Sequence, residues 1–152
     1  MEGTMKINDE ITVGPQPDSQ EIYEFGQEGF KTIVNFRAAH EQDQPISPQA
    51  EDQVVHDAGM EYLHIPMSMN SLNDAQIDQF REKYAALPKP IYAHCKSGKR
   101  AGAAVMMNLA VEQGKTGEQT LQKAKEIGFE CNKPELKEFV RDYVDSHNGS
   151  NQ

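Results

Sequence analysis

The chain is short of three things: cysteine, long apolar runs and positive charge. It has 2 cysteines in 152 residues, too few for a disulfide scaffold in a chain of this length. Neither has a second cysteine or a histidine at zinc-site spacing, and the five histidines are scattered, so no zinc site is expected. No apolar run approaches the roughly 20 residues that cross a bilayer, and the first residues, Met1-Glu2-Gly3-Thr4-Met5-Lys6, carry no apolar signal core. Together these predict a reducing, cytoplasmic setting with at least one working thiol. Lysine and arginine number 15 against 24 aspartate and glutamate, a net charge of −9. That deficit argues against nucleic-acid or acidic-membrane binding, which needs a basic face.

What remains is the composition of a soluble globular protein, 37% apolar and 26% charged. Its length fits one domain, predicted over 1–147, followed by a polar tail, 148–152, that is expected to fray. Helix and strand signals alternate. Asp18 with Glu21 reads as a capping box for a helix ended by Gly29, and Thr32–Phe36 follows as a strand. Ser47-Pro48 opens a second helix, with Val54, Val55 and Ala58 facing inward and Gly59 at its end. Tyr62–Ile65 reads as a strand stopped by Pro66. Asn73 starts a third helix, with Ile77, Phe80, Tyr84 and Leu87 at helical spacing. Ile91–His94 is the next strand. The remainder reads as helical: 101–113, rich in alanine and methionine; a helix capped by Thr116 and Gln119 and ended by Gly128; and a last helix capped by Asn132 and Glu135.

This alternation predicts an α/β fold, a mainly parallel sheet of about four to five strands with helices on both faces. Such sheets bind ligands outside the carboxyl ends of their strands. The rule places the turns after Phe36, Ile65 and His94 on one edge. It makes neighbours of Arg37, Asn70, Asp74 and the turn Cys95-Lys96-Ser97-Gly98-Lys99-Arg100.

That turn concentrates the chemistry. Only a thiolate is a good sulfur nucleophile, and a helix N-terminus with adjacent cations favours it. The helix expected from Ala101 supplies the first, and Lys96, Lys99 and Arg100 supply the second. Gly98 lets backbone N–H groups curl inward as an anion nest. Arg100 can grip two oxygens of one anion, and Ser97 is placed to hydrogen-bond the thiolate or assist a leaving group. A nucleotide P-loop does not fit, because position 93 is Ala93 and the lysine is followed by Arg100. A basic turn on an acidic chain points to a small anion as ligand.

His94-Cys95-Lys96-Ser97-Gly98-Lys99-Arg100-Ala101-Gly102 resembles the signature of cysteine-dependent protein tyrosine and dual-specificity phosphatases. It is most similar to a bacterial group of small phosphatase-like proteins related to the domain found beside β-lactamase-fold hydrolases. Gly14-Pro15-Gln16-Pro17 fits that group. The resemblance implies a phosphorylated protein or small molecule as substrate and Cys95 as nucleophile. It implies Arg100 as the stabiliser of transferring oxygens, and Lys96, Ser97, Gly98, Lys99 and Ala101 as the phosphate loop. Arg37 divides evenly between binding substrate and pairing with a nearby acid. The aspartate such enzymes carry shortly after the proline matching Pro66 is absent, and Ser68, Met69 and Asn70 stand there. Asp74 is the nearest candidate general acid, with Glu41 and Asp43 as alternatives. Cys131 is a candidate resolving thiol. Four residues between Cys95 and Arg100, where phosphatases have five, also resemble the active loop of rhodanese-type sulfurtransferases. That reading, and a non-catalytic phosphate-binding module, stay open.

Overall fold

A computed structural model describes residues 3–39, 41–128 and 133–148. Five strands form one sheet: β1 (Met5–Lys6), β2 (Ile11–Pro15), β3 (Thr32–Arg37), β4 (Glu61–Met67) and β5 (Ile91–Cys95). Their order is β1-β2-β5-β3-β4, with β1 antiparallel to β2 and the other neighbours parallel. Helices α1 (Ser19–Glu28) and α2 (Pro48–Asp57) cover one face. Helices α3 (Asp74–Tyr84), α4 (Lys99–Gln113), α5 (Gly117–Ile127) and α6 (Pro134–Asn148) build the other side. The α/β fold with a mainly parallel sheet is the one the alternating signals predict. No helix among the described residues is long and apolar enough to cross a membrane.

Strand alternation divides the core. Ile33 and Tyr92 turn toward α1 and α2, packing with Ile22, Phe25, Val55 and Met60. Val34, Phe36, Ile91, Ala93 and Cys95 turn the other way, into the larger core. Helix α4 crosses that core, and every residue from Ala101 to Asn108 is buried. Its small residues let it lie close to the sheet.

The caps expected at Asp18, Ser47 and Thr116 each accept an amide hydrogen bond, and Asn73 caps α3 in the same way. The Asn132 cap and Cys131 lie outside the described residues. Several boundaries differ from expectation by one or two residues. Strand β4 runs through Pro66 to Met67, which is allowed because β4 ends the sheet and an edge strand can lack one donor. Helix α4 starts two residues early, at Lys99, with Gly98 as its N-cap. Strands β1 and β2 carry no strong local pattern, and β2 is a strand because it pairs with β5. That pairing sets Gly14 beside His94 and Pro15 beside Cys95, and in the next strand Asn35 also lies beside His94.

Candidate active site

Cys95 is the last residue of β5 and is 1% exposed. Its Sγ accepts hydrogen bonds from the backbone N–H of Gly98 at 3.2 Å and of Ala101 at 3.5 Å. Gly98 makes this possible. Its φ of +102° is a left-handed conformation that turns the chain back over the sulfur. A Cβ there would also lie 3.2 Å from the Gly14 Cα, so loop and β2 meet at two glycines. Gly98 offers no side-chain cap, so the first amides of α4 stay directed at the sulfur and whatever anion sits against it. Lys96, Ser97 and Lys99 are exposed around this centre.

Arg100 is the second residue of α4. One Nη1 hydrogen bond reaches the Met67 carbonyl at 2.6 Å and another reaches Glu41 Oε2 at 2.5 Å, while Nη2 reaches Glu41 Oε1 at 3.0 Å. A guanidinium has five N–H donors. Three are used here, leaving Nε and one Nη2 hydrogen on a guanidinium whose charge the nearby Cys95 sulfur favours. Burial opposes the arginine's charge, but the bonds and charges of Glu41 and Cys95 outweigh it and raise its pKa. The result is a fixed cation with a two-donor fork beside a sulfur, a geometry that suits two oxygens of one oxyanion.

Glu41 fixes that fork. It accepts from Arg37 Nε at 2.9 Å and from the Ala38 N–H at 2.7 Å as well as from Arg100. Burial pushes its carboxyl up, but the bonds from Arg100, the Ala38 amide and Arg37, with the Arg100 charge, hold it down at about 2. A carboxyl so strongly ionised has no proton to give near neutral pH, so Glu41 is unsuited to the general-acid role weighed for it from sequence. Asp43, its other alternative, is exposed with a φ of +63°.

Arg37 is 2% exposed. Beyond Glu41 it donates to the Gln16 side chain and to the Gln42 carbonyl, both within 2.9 Å. It therefore sits as the partner of an acid, and its guanidinium reaches the site through Glu41. Asp74, the first residue of α3, is exposed. No hydrogen bond ties it to the Cys95 loop among the described residues. Asn70 is likewise exposed, while Met67 is buried and turns its carbonyl to Arg100. His64 Nε2 donates to the Arg37 carbonyl, 2.6 Å away, so its polar edge is satisfied within the fold.

Behind the sulfur lies a group that sequence reasoning missed. His94 is fully buried on the α1–α2 face, and its Nε2 meets Glu51 Oε2 at 2.5 Å, with both side chains 0% exposed. Glu51 Oε1 accepts from Asn35 Nδ2 at 2.9 Å and from the Tyr62 hydroxyl at 3.1 Å. The Asn35 side-chain Oδ1 in turn accepts from the Arg37 N–H at 2.8 Å. The available signal was positional: Glu51 falls four residues before Val55, on the inward face of α2.

Residues 4–113 match the family described as "Beta-lactamase hydrolase-like protein, phosphatase-like domain". A curated relative from Agrobacterium fabrum, the "Beta-lactamase hydrolase-like protein", is 37% identical over 98 residues, covering 64% of this chain and 22% of that protein. The chain thus spans about a fifth of the length of the curated relatives it matches. Among solved structures, PTPMT1 in complex with PI(5)P superposes with a TM-score of 0.80 at 16% identity, covering 99% of this chain and 100% of that one. TpbA of P. aeruginosa gives 0.75 at 21% identity, over 97% and 89%. At those identities the structural likeness shows the fold, that of tyrosine and dual-specificity-type phosphatases. The match over residues 4–113, which contain the whole Cys95–Arg100 loop, places the chain in the phosphatase-like domain family of β-lactamase hydrolase-like proteins.

Proposed function

We propose that this chain hydrolyses phosphomonoesters through a cysteinyl-phosphate. The observation that carries the proposal is the Cys95–Arg100 pair. Its sulfur takes two backbone N–H donors, and Glu41 holds its arginine with two donors left for an anion. In the first step the Cys95 thiolate attacks phosphorus, an S–P bond forms and the P–O bond to the leaving group breaks. Arg100 and the loop amides of Gly98, Lys99 and Ala101 stabilise the equatorial oxygens. Lys96 and Lys99 draw the dianion in, with Ser97 on the same rim. Asp74 or water protonates the leaving oxygen. In the second step water attacks phosphorus, the S–P bond breaks, and phosphate leaves with the thiolate restored. No metal or organic cofactor enters these steps.

A second reading rests on a specific observation, the four residues between Cys95 and Arg100. A persulfide on Cys95, passing its outer sulfur to a thiol or cyanide, would use the same nest of amides. A phosphate-binding module without catalysis is the third. Parallel assays on p-nitrophenyl phosphate and on thiosulfate with cyanide, each with Cys95→Ser as control, separate them. Phosphate release that disappears in the variant supports the first reading. Thiocyanate formation without phosphate release overturns it, and phosphate binding with neither activity leaves the module.

A further inference from the structure

Both ring nitrogens of His94 face acceptors. Nε2 lies 2.5 Å from a Glu51 carboxylate oxygen, and Nδ1 lies 3.4 Å from the Cys95 carbonyl oxygen. A neutral imidazole donates from one nitrogen only. The carboxylate has no need of a proton of its own, because Asn35 Nδ2 and the Tyr62 hydroxyl both donate to its other oxygen. An ion buried this deeply survives only when it is paired and its remaining lone pairs are satisfied. Glu51 meets both conditions and His94 is its partner.

The geometry points to Glu51 as a positioning residue for Cys95: its carboxylate holds His94 as a doubly protonated ring, directed at the back of the nucleophile's own peptide. The charge so held lies one residue from the Cys95 sulfur, on the opposite face of β5, in a region that water does not reach. The same network reaches the other half of the site. Asn35 joins Glu51 to the Arg37 amide, and Arg37 joins Glu41, which holds Arg100. Glu51 is thereby connected to both groups of the pair without touching the anion.

This inference rests on Cys95 being the reacting atom, but its test does not depend on which group the sulfur transfers. Glu51→Gln keeps the shape. The new amide oxygen still accepts from Asn35 and Tyr62, and its NH2 donates to His94 Nε2. The ring then becomes a neutral Nδ1–H tautomer. In protein labelled with 15N-histidine at pH 7, the expected result is two protonated ring nitrogens at His94 in the parent chain and one in Glu51→Gln. In a Cys131→Ser background, which leaves a single thiol, alkylation of Cys95 by iodoacetamide at pH 7 is expected to slow at least fivefold in the variant. Circular dichroism reports whether the variant is folded. An equal alkylation rate in a folded variant overturns the proposal, as does a neutral His94 ring in the parent chain. The protonation of the His94 ring in the parent chain decides the matter if Glu51→Gln does not fold. Should phosphatase turnover be absent from the parent chain while both results hold, the reading of the substrate fails and the role of Glu51 stands.

Discussion

Glu41→Gln tests how the arginine of the site is held. Glu41 makes two bonds to Arg100, one to Arg37 and one to the Ala38 amide. Its carboxyl, lowered from 4.5 to about 2, is linked to roughly 3 kcal/mol of stability at neutral pH. The side chain is 20% exposed, and solvent screening reduces that figure to about 2 kcal/mol. The direction with pH follows from the lowered value. A carboxyl depressed in the folded state contributes fully above its unfolded value of 4.5, and the contribution is lost as pH falls through about 2. Glutamine carries no charge to lose. Urea denaturation of parent and Glu41→Gln should therefore differ by about 2 kcal/mol at pH 7 and by under half of that at pH 3. Freed from one side, the Arg100 fork should also lose its fixed angle, with kcat/KM on p-nitrophenyl phosphate falling about 10- to 100-fold, the equivalent of roughly 1.4–2.8 kcal/mol. A stability difference that stays constant from pH 7 to pH 3, or unchanged kcat/KM, would refute the placement of Glu41 as the clamp of Arg100.

Gly98→Ala forces a side chain into a backbone of φ +102° and against Gly14. About 1–2 kcal/mol of stability should be lost, together with most anion binding, measured by calorimetry with inorganic phosphate. Gly14→Ala would set a Cβ 2.4 Å from the Tyr92 hydroxyl oxygen and 3.1 Å from the Thr4 Cα. It should break the 2.6 Å bond from Tyr92 to the Pro15 carbonyl and lower stability by about 1–3 kcal/mol in a melting experiment. If Asp74 is the general acid, Asp74→Asn should reduce kcat for an alkyl phosphate about 10²-fold or more and leave an aryl phosphate nearly unchanged. Equal effects on both substrates would remove it from that role.

Local signals proved strongest where a helix or a parallel strand begins. The caps at Asp18, Ser47, Asn73 and Thr116 are short-range hydrogen bonds, so residues three apart predict them. The Cys95–Arg100 turn was legible for a similar reason, since thiol, glycine, cations and helix start are contiguous. Strand β2 was not, because Ile11–Pro15 acquires its role only by lying beside β5, some eighty residues away. The sequence by itself determined the alternating architecture and the sulfur–arginine centre, since both are written in neighbouring residues. Only the tertiary structure decided what surrounds that centre. Glu41 and Arg37 come from the end of β3 and the turn after it, Glu51 from α2, Tyr62 from β4 and Gly14 from β2. A charge reads the same in the sequence whether it faces water or a buried partner, and folding alone puts Glu41 on Arg100 and Glu51 on His94.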